Sequence, residues 1–150
     1  DDLANGGFQE LIPDSAVKSP ETATRVVICA GKVYYDLLAA AEERKLEDVA
    51  IVRIEQLYPF PRAALRNELN RIKNAKDVIW CQEEPQNQGA WYQIQHHLRS
   101  CLPEGRILHY AGRARSAAPA CGHANTHAAE EAKLLADALV NPGQRDFTHE

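Results

Sequence analysis

From Arg25 onward the chain alternates short β-rich apolar runs with longer stretches of helical period, and no other feature constrains the fold as tightly. Four runs read as strands: Arg25 to Ala30 (RVVICA), Asp48 to Ile54 (DVAIVRI), Asp77 to Gln82 (DVIWCQ) and Arg106 to Tyr110 (RILHY). Three of them are almost continuously apolar, the pattern of strands covered by helices on both faces. Such an order predicts a mostly parallel sheet with right-handed crossovers. The helices between carry their apolar residues at helical spacing: Val33, Leu37, Leu38 and Ala41 in Lys32 to Lys45, then Leu65, Leu69 and Ile72 in Pro61 to Asn74. Gly89 to Leu102 is expected to bury Trp91, Ile94, Leu98 and Cys101, and Thr126 to Val140 to bury Ala128, Ala132, Leu135 and Leu139. Pro61 suits a first helical turn, and Asn141-Pro142-Gly143 closes the last helix.

The ends read differently. Phe8 to Ile12, between Gly6-Gly7 and Pro13, is an extra edge strand or a linker from an upstream domain. We divide the chain into 1–24 (linker and edge strand), 25–141 (the domain) and 142–150 (a polar tail that frays). With 150 residues, 45% of them hydrophobic, one domain with a real core is expected. The formal charge of -4 comes without a basic block, which argues against nucleic acid. No run of about 18 apolar residues suggests a membrane span. An acidic Asp1-Asp2-Leu3 start is unlike a secretory signal, so a soluble cytoplasmic protein is expected. Methionine is absent, which suggests a piece of a longer chain, and Cys29, Cys81, Cys101 and Cys121 read as buried thiols, not a disulfide framework.

Parallel β-α-β order gathers the strand C-termini on one edge, with the helix N-termini beside them. Polar residues cluster at that edge: Gly31 and Lys32; Glu55, Gln56, Tyr58 and Arg62; Glu83, Glu84, Gln86, Asn87 and Gln88; Gly112, Arg113, Arg115 and Ser116. The cations and helix dipoles there suit a phosphate or nucleotide. Carboxylates balance them, which favours structural ion pairs of the arginines with Glu83, Glu84 and Glu55. Neither CAGK nor GRARSAAP has phosphate-loop spacing. Glu83 and Glu84 are neighbours in extended chain and should point to opposite faces, so only one is expected at a given cleft and paired acid/base work is disfavoured. Cys121, His123 and His127 make a weak zinc motif without further ligands, and no GxSxG nucleophile elbow is present.

Taken together, the runs GKVYYDLL, DVAIVRIEQLYPFP, CQEEPQNQGAWY and YAGRARSAAP closely resemble the C-terminal domain of the thiamine diphosphate-dependent 2-oxoglutarate dehydrogenase component, from Leu3 to Asn141. The resemblance implies a transketolase C-terminal-like, three-layer α/β/α fold: a mostly parallel five-stranded sheet with one antiparallel edge strand, for which Phe8 to Ile12 is the candidate. It also implies a non-catalytic structural and regulatory domain, with thiamine diphosphate and Mg held by upstream domains of the parent, and none in this chain. The parent would decarboxylate 2-oxoglutarate in the tricarboxylic acid cycle and pass succinyl to the lipoyl carrier of a dihydrolipoyl succinyltransferase complex. Upstream domains of the same polypeptide and a homodimer mate are the implied partners. Some relatives carry an acetyl-CoA regulatory site, which the resemblance places here on Gln56 and Arg62, with AMP as another candidate effector. Ala63 and Ala64 stand where those relatives have further arginines. Glu83, Glu84, Arg113 and Arg115 are read as structural strand-end contacts. A free-standing nucleotide-binding module and a zinc-binding interaction domain are the alternatives.

Overall fold

Ten elements follow one another in the computed structural model, which describes residues 11–13, 20–113, 124–140 and 144–145. They are β1 (Leu11–Ile12), β2 (Arg25–Cys29), α1 (Val33–Glu43), β3 (Val49–Ile54), α2 (Arg62–Arg71), β4 (Asp77–Pro85), α3 (Trp91–Cys101), β5 (Ile107–Arg113), α4 (Ala124–Leu139) and β6 (Gln144–Arg145). A 3-10 turn at Pro20–Thr22 leads into β2. One sheet results, in the order β1-β3-β2-β4-β5-β6. Its four central strands are parallel, in the register Val26↔Ala50, Val26↔Val78 and Val78↔Leu108. The expected antiparallel edge strand is β1, pairing Leu11 with Ile54. On the far edge β6 adds a second antiparallel pairing, in which Gln144 and Arg145 of the expected tail lie opposite Tyr110 and His109.

Strand alternation sorts the core into two layers. Val26, Ile28, Val52, Val78, Trp80 and Tyr110 point to one face and pack on Leu65 and Leu69 from α2, on Ile72 just beyond it, and on Trp91, Ile94 and Leu98 from α3. Val27, Cys29, Ile51, Ile79, Cys81 and Ala111 point to the other and meet Val33 and Leu37 of α1 and Leu134, Ala138 and Leu139 of α4. Both faces of the sheet are therefore dry, as near-continuous apolar strands require. At the strand starts Arg25 reaches across to the C-terminus of α4, donating to the carbonyls of Asp137 at 3.2 Å and Ala138 at 2.8 Å. A cation on these unsatisfied carbonyls and at the negative dipole end ties the last helix to the first parallel strand.

Two expectations change. In α4 the sheet-facing residues are Leu134, Ala138 and Leu139, while Ala128 and Ala132 are exposed and Leu135 is half-buried. The helix is rotated relative to the reading because its alanines make the apolar stripe broad and nearly featureless, so Leu134, flanked by Lys133 and Leu135, decides the phase through packing. Strands β4 and β5 also run further than read, to Pro85 and Arg113, through a register shift between Gln82 and Pro85. The irregularity leaves two residues of β4, Glu83 and Glu84, between the consecutive β5 partners Gly112 and Arg113.

Candidate functional site

The order β3-β2-β4 sends the chain to opposite sides as it leaves β2 and β4, so a crevice opens between their C-terminal ends. The floor of this edge is held by Gln82, which is buried. Its Oε1 accepts from the indole Nε1 of Trp80 at 2.9 Å and from the backbone N–H of Trp91 at 3.2 Å. Its Nε2 donates to the carbonyls of Glu84 (3.1 Å), Pro85 (2.9 Å) and Gln88 (2.9 Å). One amide thus winds the loop from Glu83 to Trp91 about itself and sets the start of α3, satisfying groups that burial would otherwise leave unpaired. Gly89, at φ +68°, and Gly112 make the winding possible. A Cβ on Gly112 would stand 2.6 Å from the Tyr110 hydroxyl and 2.7 Å from the Gln82 carbonyl.

Two hollows border the loop. One of about 300 Å³ lies between β4, β5 and α4 and is lined by Lys32, Glu83, Glu84, Arg113, Glu130 and Glu131, among others. The other, of about 370 Å³, lies in the crevice itself, against Gly31, Tyr58, Trp80, Gln82, Glu84 and Gln93. Glu83 and Glu84 both border the first, but their carboxylates separate: that of Glu83 faces Lys32, Asp36 and Glu131, whereas that of Glu84 lies beside Gly89, which lines the second. Charge at the first hollow is mostly negative. Carboxylate oxygens of Asp36, Glu83 and Glu131 lie within 4.8 Å of one another, and Lys32 Nζ stands 4.0 Å from Glu83. Burial pushes the Glu83 carboxyl above its ordinary value; Lys32 opposes this, and Glu131, Asp36 and Glu84 add to it.

The ion pairs follow a different plan from the one read in the sequence. Glu55 pairs with Arg53 of β3 at 2.7 Å, and Arg113 with Glu130 of α4 at 3.1 Å. Arg53 also donates to the Tyr35 hydroxyl at 3.0 Å and lies over the Tyr34 and Tyr35 rings. The Arg113 carbonyl accepts from the Tyr110 hydroxyl at 2.9 Å and from the Gln86 N–H at 3.2 Å. Arg115, Ser116, Cys121, His123 and the side chain of His127 lie outside the described residues.

Between β3 and α2, the Gln56 amide turns back to the Pro59 carbonyl at 3.4 Å. Arg62 opens α2 and donates through Nε to His97 Nδ1 at 2.8 Å. The His97 ring stacks on Phe60, with centroids 5.0 Å apart and planes 5° apart, and the Tyr58 hydroxyl donates to the Gln93 side chain one turn earlier on α3. No described contact joins Gln56 to Arg62. Gln82 and His97 join the site only in the structure. For Gln82 a signal existed: a polar residue two positions beyond Trp80, on the same strand face. None links Arg62 to His97, 35 residues away.

The family model described as "2-oxoglutarate dehydrogenase C-terminal" matches residues 1–139. A 2-oxoglutarate dehydrogenase E1 component of Azotobacter vinelandii is 52% identical over 143 residues, covering 93% of this chain and 15% of the relative. The namesake protein of Haemophilus influenzae is 48% identical over 139 residues, again covering 93% of this chain and 15% of the relative. This chain therefore spans 15% of the length of these curated relatives. Among solved structures, a split-gene transketolase described as an inactive β4 tetramer superposes with a TM-score of 0.60 at 15% identity, covering 88% of this chain and 43% of that one. At that identity the likeness concerns the fold: three layers about a mostly parallel sheet.

Proposed function

Because the chain belongs to the 2-oxoglutarate dehydrogenase C-terminal family, we propose that it serves a 2-oxoglutarate dehydrogenase E1 component as a structural and regulatory domain without chemistry of its own. In this reading residues 25–141 are the domain proper, with 1–24 its entry and 142–150 its tail. The whole enzyme would decarboxylate 2-oxoglutarate on thiamine diphosphate with Mg and pass succinyl to a lipoyl carrier in the tricarboxylic acid cycle. Upstream domains, a homodimer mate and a dihydrolipoyl succinyltransferase would be its partners, in the cytoplasm.

The observation that carries the reading is Gln82 and its loop: the strand-end residues that mark the family spend their polar atoms on one another. A site built for catalysis leaves polar groups aimed at a reacting atom. Thiamine diphosphate does not fit here either. Its diphosphate would need a cradle of backbone N–H groups, whereas the first hollow presents Glu83, Glu84, Glu130 and Glu131. The test is an assay of 2-oxoglutarate decarboxylation by this chain alone, expected at the level of a boiled control; turnover above that control overturns the reading.

A regulatory anion site around Gln56 and Arg62 is part of the proposal, with acetyl-CoA or AMP as effector. Arg62 and Arg66 are exposed, and among the described residues neither pairs with a carboxylate. Loss of calorimetric binding of either ligand on Arg62→Ala is the expected result, and unaltered binding overturns it.

A further inference from the structure

Resting on that reading of Arg62, we propose that His97 is part of the same site and makes the binding of a phosphate-bearing ligand proton-linked, so that the anion and a proton on His97 bind together.

The geometry is set by the packing of α2 against α3, whose apolar faces share one core layer. On the outer side Arg62 and Arg66 lie one turn apart on α2. Arg62 Nε donates to His97 Nδ1 at 2.8 Å, and Arg66 donates to the Ser100 carbonyl at 3.2 Å. The His96 ring lies 4.0 Å from that of His97. Two guanidinium groups and two imidazoles thus line the seam where the helices meet, each arginine oriented by a neutral acceptor that leaves donors of the guanidinium uncommitted. The groups around His97 come from each packed element: His96 from its own helix, Arg62 and beyond it Arg66 from α2, and the uncharged Phe60 ring from the loop after β3.

The bond from Arg62 requires His97 Nδ1 to be unprotonated. A proton added there turns the acceptor into a donor facing a guanidinium, with His96 alongside. Burial, then His96, then Arg62 hold His97 below its ordinary value. A phosphate ester reverses the balance. The uncommitted donors of Arg62 go to the phosphate oxygens, and His97, taking a proton from solvent, becomes a second cationic donor to the same anion. What opposes the proton in the empty site favours it in the filled one, and by linkage the proton favours the anion equally. A one-unit rise of the His97 pKa on binding corresponds to about tenfold in affinity.

The test is calorimetric titration of this chain with AMP and, in a second arm, with acetyl-CoA, from about pH 5.5 to about pH 8, across the range in which histidine ionises. Paired buffers of different ionisation heat report the protons taken up. AMP's own phosphate titrates in this window, so the deciding quantity is the difference between the native chain and His97→Asn. That variant retains an oxygen acceptor for Arg62 and cannot ionise. Binding is expected to tighten roughly threefold to tenfold toward acid in the native chain. In His97→Asn the tightening and most of the proton uptake should disappear. Uptake with either ligand that depends on His97 supports the proposal. Binding that is lost in Arg62→Ala yet takes up the same protons in His97→Asn overturns the proton link and leaves the site standing. No binding of either ligand at any pH overturns both.

Discussion

Trp80 and Gln82 sit two residues apart on one strand, and the indole Nε1 of the first donates to the amide oxygen of the second at 2.9 Å. This bond fixes which way the buried Gln82 amide faces, and hence which carbonyls its nitrogen can reach. Removing the amide with Gln82→Ala leaves Trp80 Nε1 and the Trp91 N–H without this acceptor and takes a donor from three loop carbonyls, of which Pro85 keeps the Gln88 N–H. The expected loss is about 2 to 4 kcal/mol, read from urea denaturation followed by tryptophan fluorescence. A loss under about 1 kcal/mol would mean that water replaces the side chain with little penalty.

Glycines along the same edge should divide by cause. Gly112 has no room for a methyl group, since the Tyr110 hydroxyl and Gln82 carbonyl would be 2.6 Å and 2.7 Å from its Cβ, and one of these neighbours is backbone. Gly31, at φ +81°, has nothing within 4 Å and carries only the strain of its left-handed backbone. Gly112→Ala should therefore cost about 2 to 3 kcal/mol by overpacking, and Gly31→Ala about 1 kcal/mol. Thermal melts of the two variants check the order; an equal effect would show that the loop after Gln82 yields to the added methyl.

Folding favours the protonated form of Glu83 over the ionised one. Its folded pKa is raised above the ordinary 4.5 by burial and by Glu131, Asp36 and Glu84. The associated stability is present below the unfolded value and lost as pH rises through the folded one. Glu83→Gln should accordingly raise the melting temperature at about pH 7 and make no difference at about pH 4. Solvent screening keeps the gain below about 1 kcal/mol. A destabilised variant at neutral pH would instead give the Lys32 ion pair the larger share.

How far the chain could be read in advance follows from where each signal lies. The parallel strands and the α3 face of Trp91, Ile94, Leu98 and Cys101 were legible because one strong periodicity decides each. The α4 face was not, because Ala128, Ala132 and Ala136 dilute the stripe and Leu134 and Leu135 compete for the core position. Arg53 reads in the sequence as a strand residue alone, yet Glu55, just beyond the end of β3, is its partner. The Arg62 to His97 bond joins two helices whose register depends on the whole core layer between them, and no local pattern carries that information.

Cys29 and Cys81 lie directly opposite on β2 and β4, both fully buried between the sheet and its α1 and α4 layer. Burial pushes the Cys29 thiol up to about 12, and burial followed by Cys29 pushes Cys81 well above its ordinary value. Thiolate is the nucleophile, so both groups should be inert to an aromatic disulfide reagent at about pH 8 until the chain unfolds. The same shifts make the fold alkali-sensitive. Above the unfolded value of 9.0 the unfolded chain loses the Cys29 proton while the folded chain keeps it, so stability is complete below 9.0 and drains away as pH rises toward about 12. Urea midpoints should fall between about pH 8 and about pH 10.5 in the native chain, and less steeply in Cys29→Ala. Since the alanine also leaves a small void, the comparison is of slopes, not of absolute midpoints. Parallel slopes would show that another group sets the alkaline limit, for which Tyr110, likewise pushed up by burial, is the candidate.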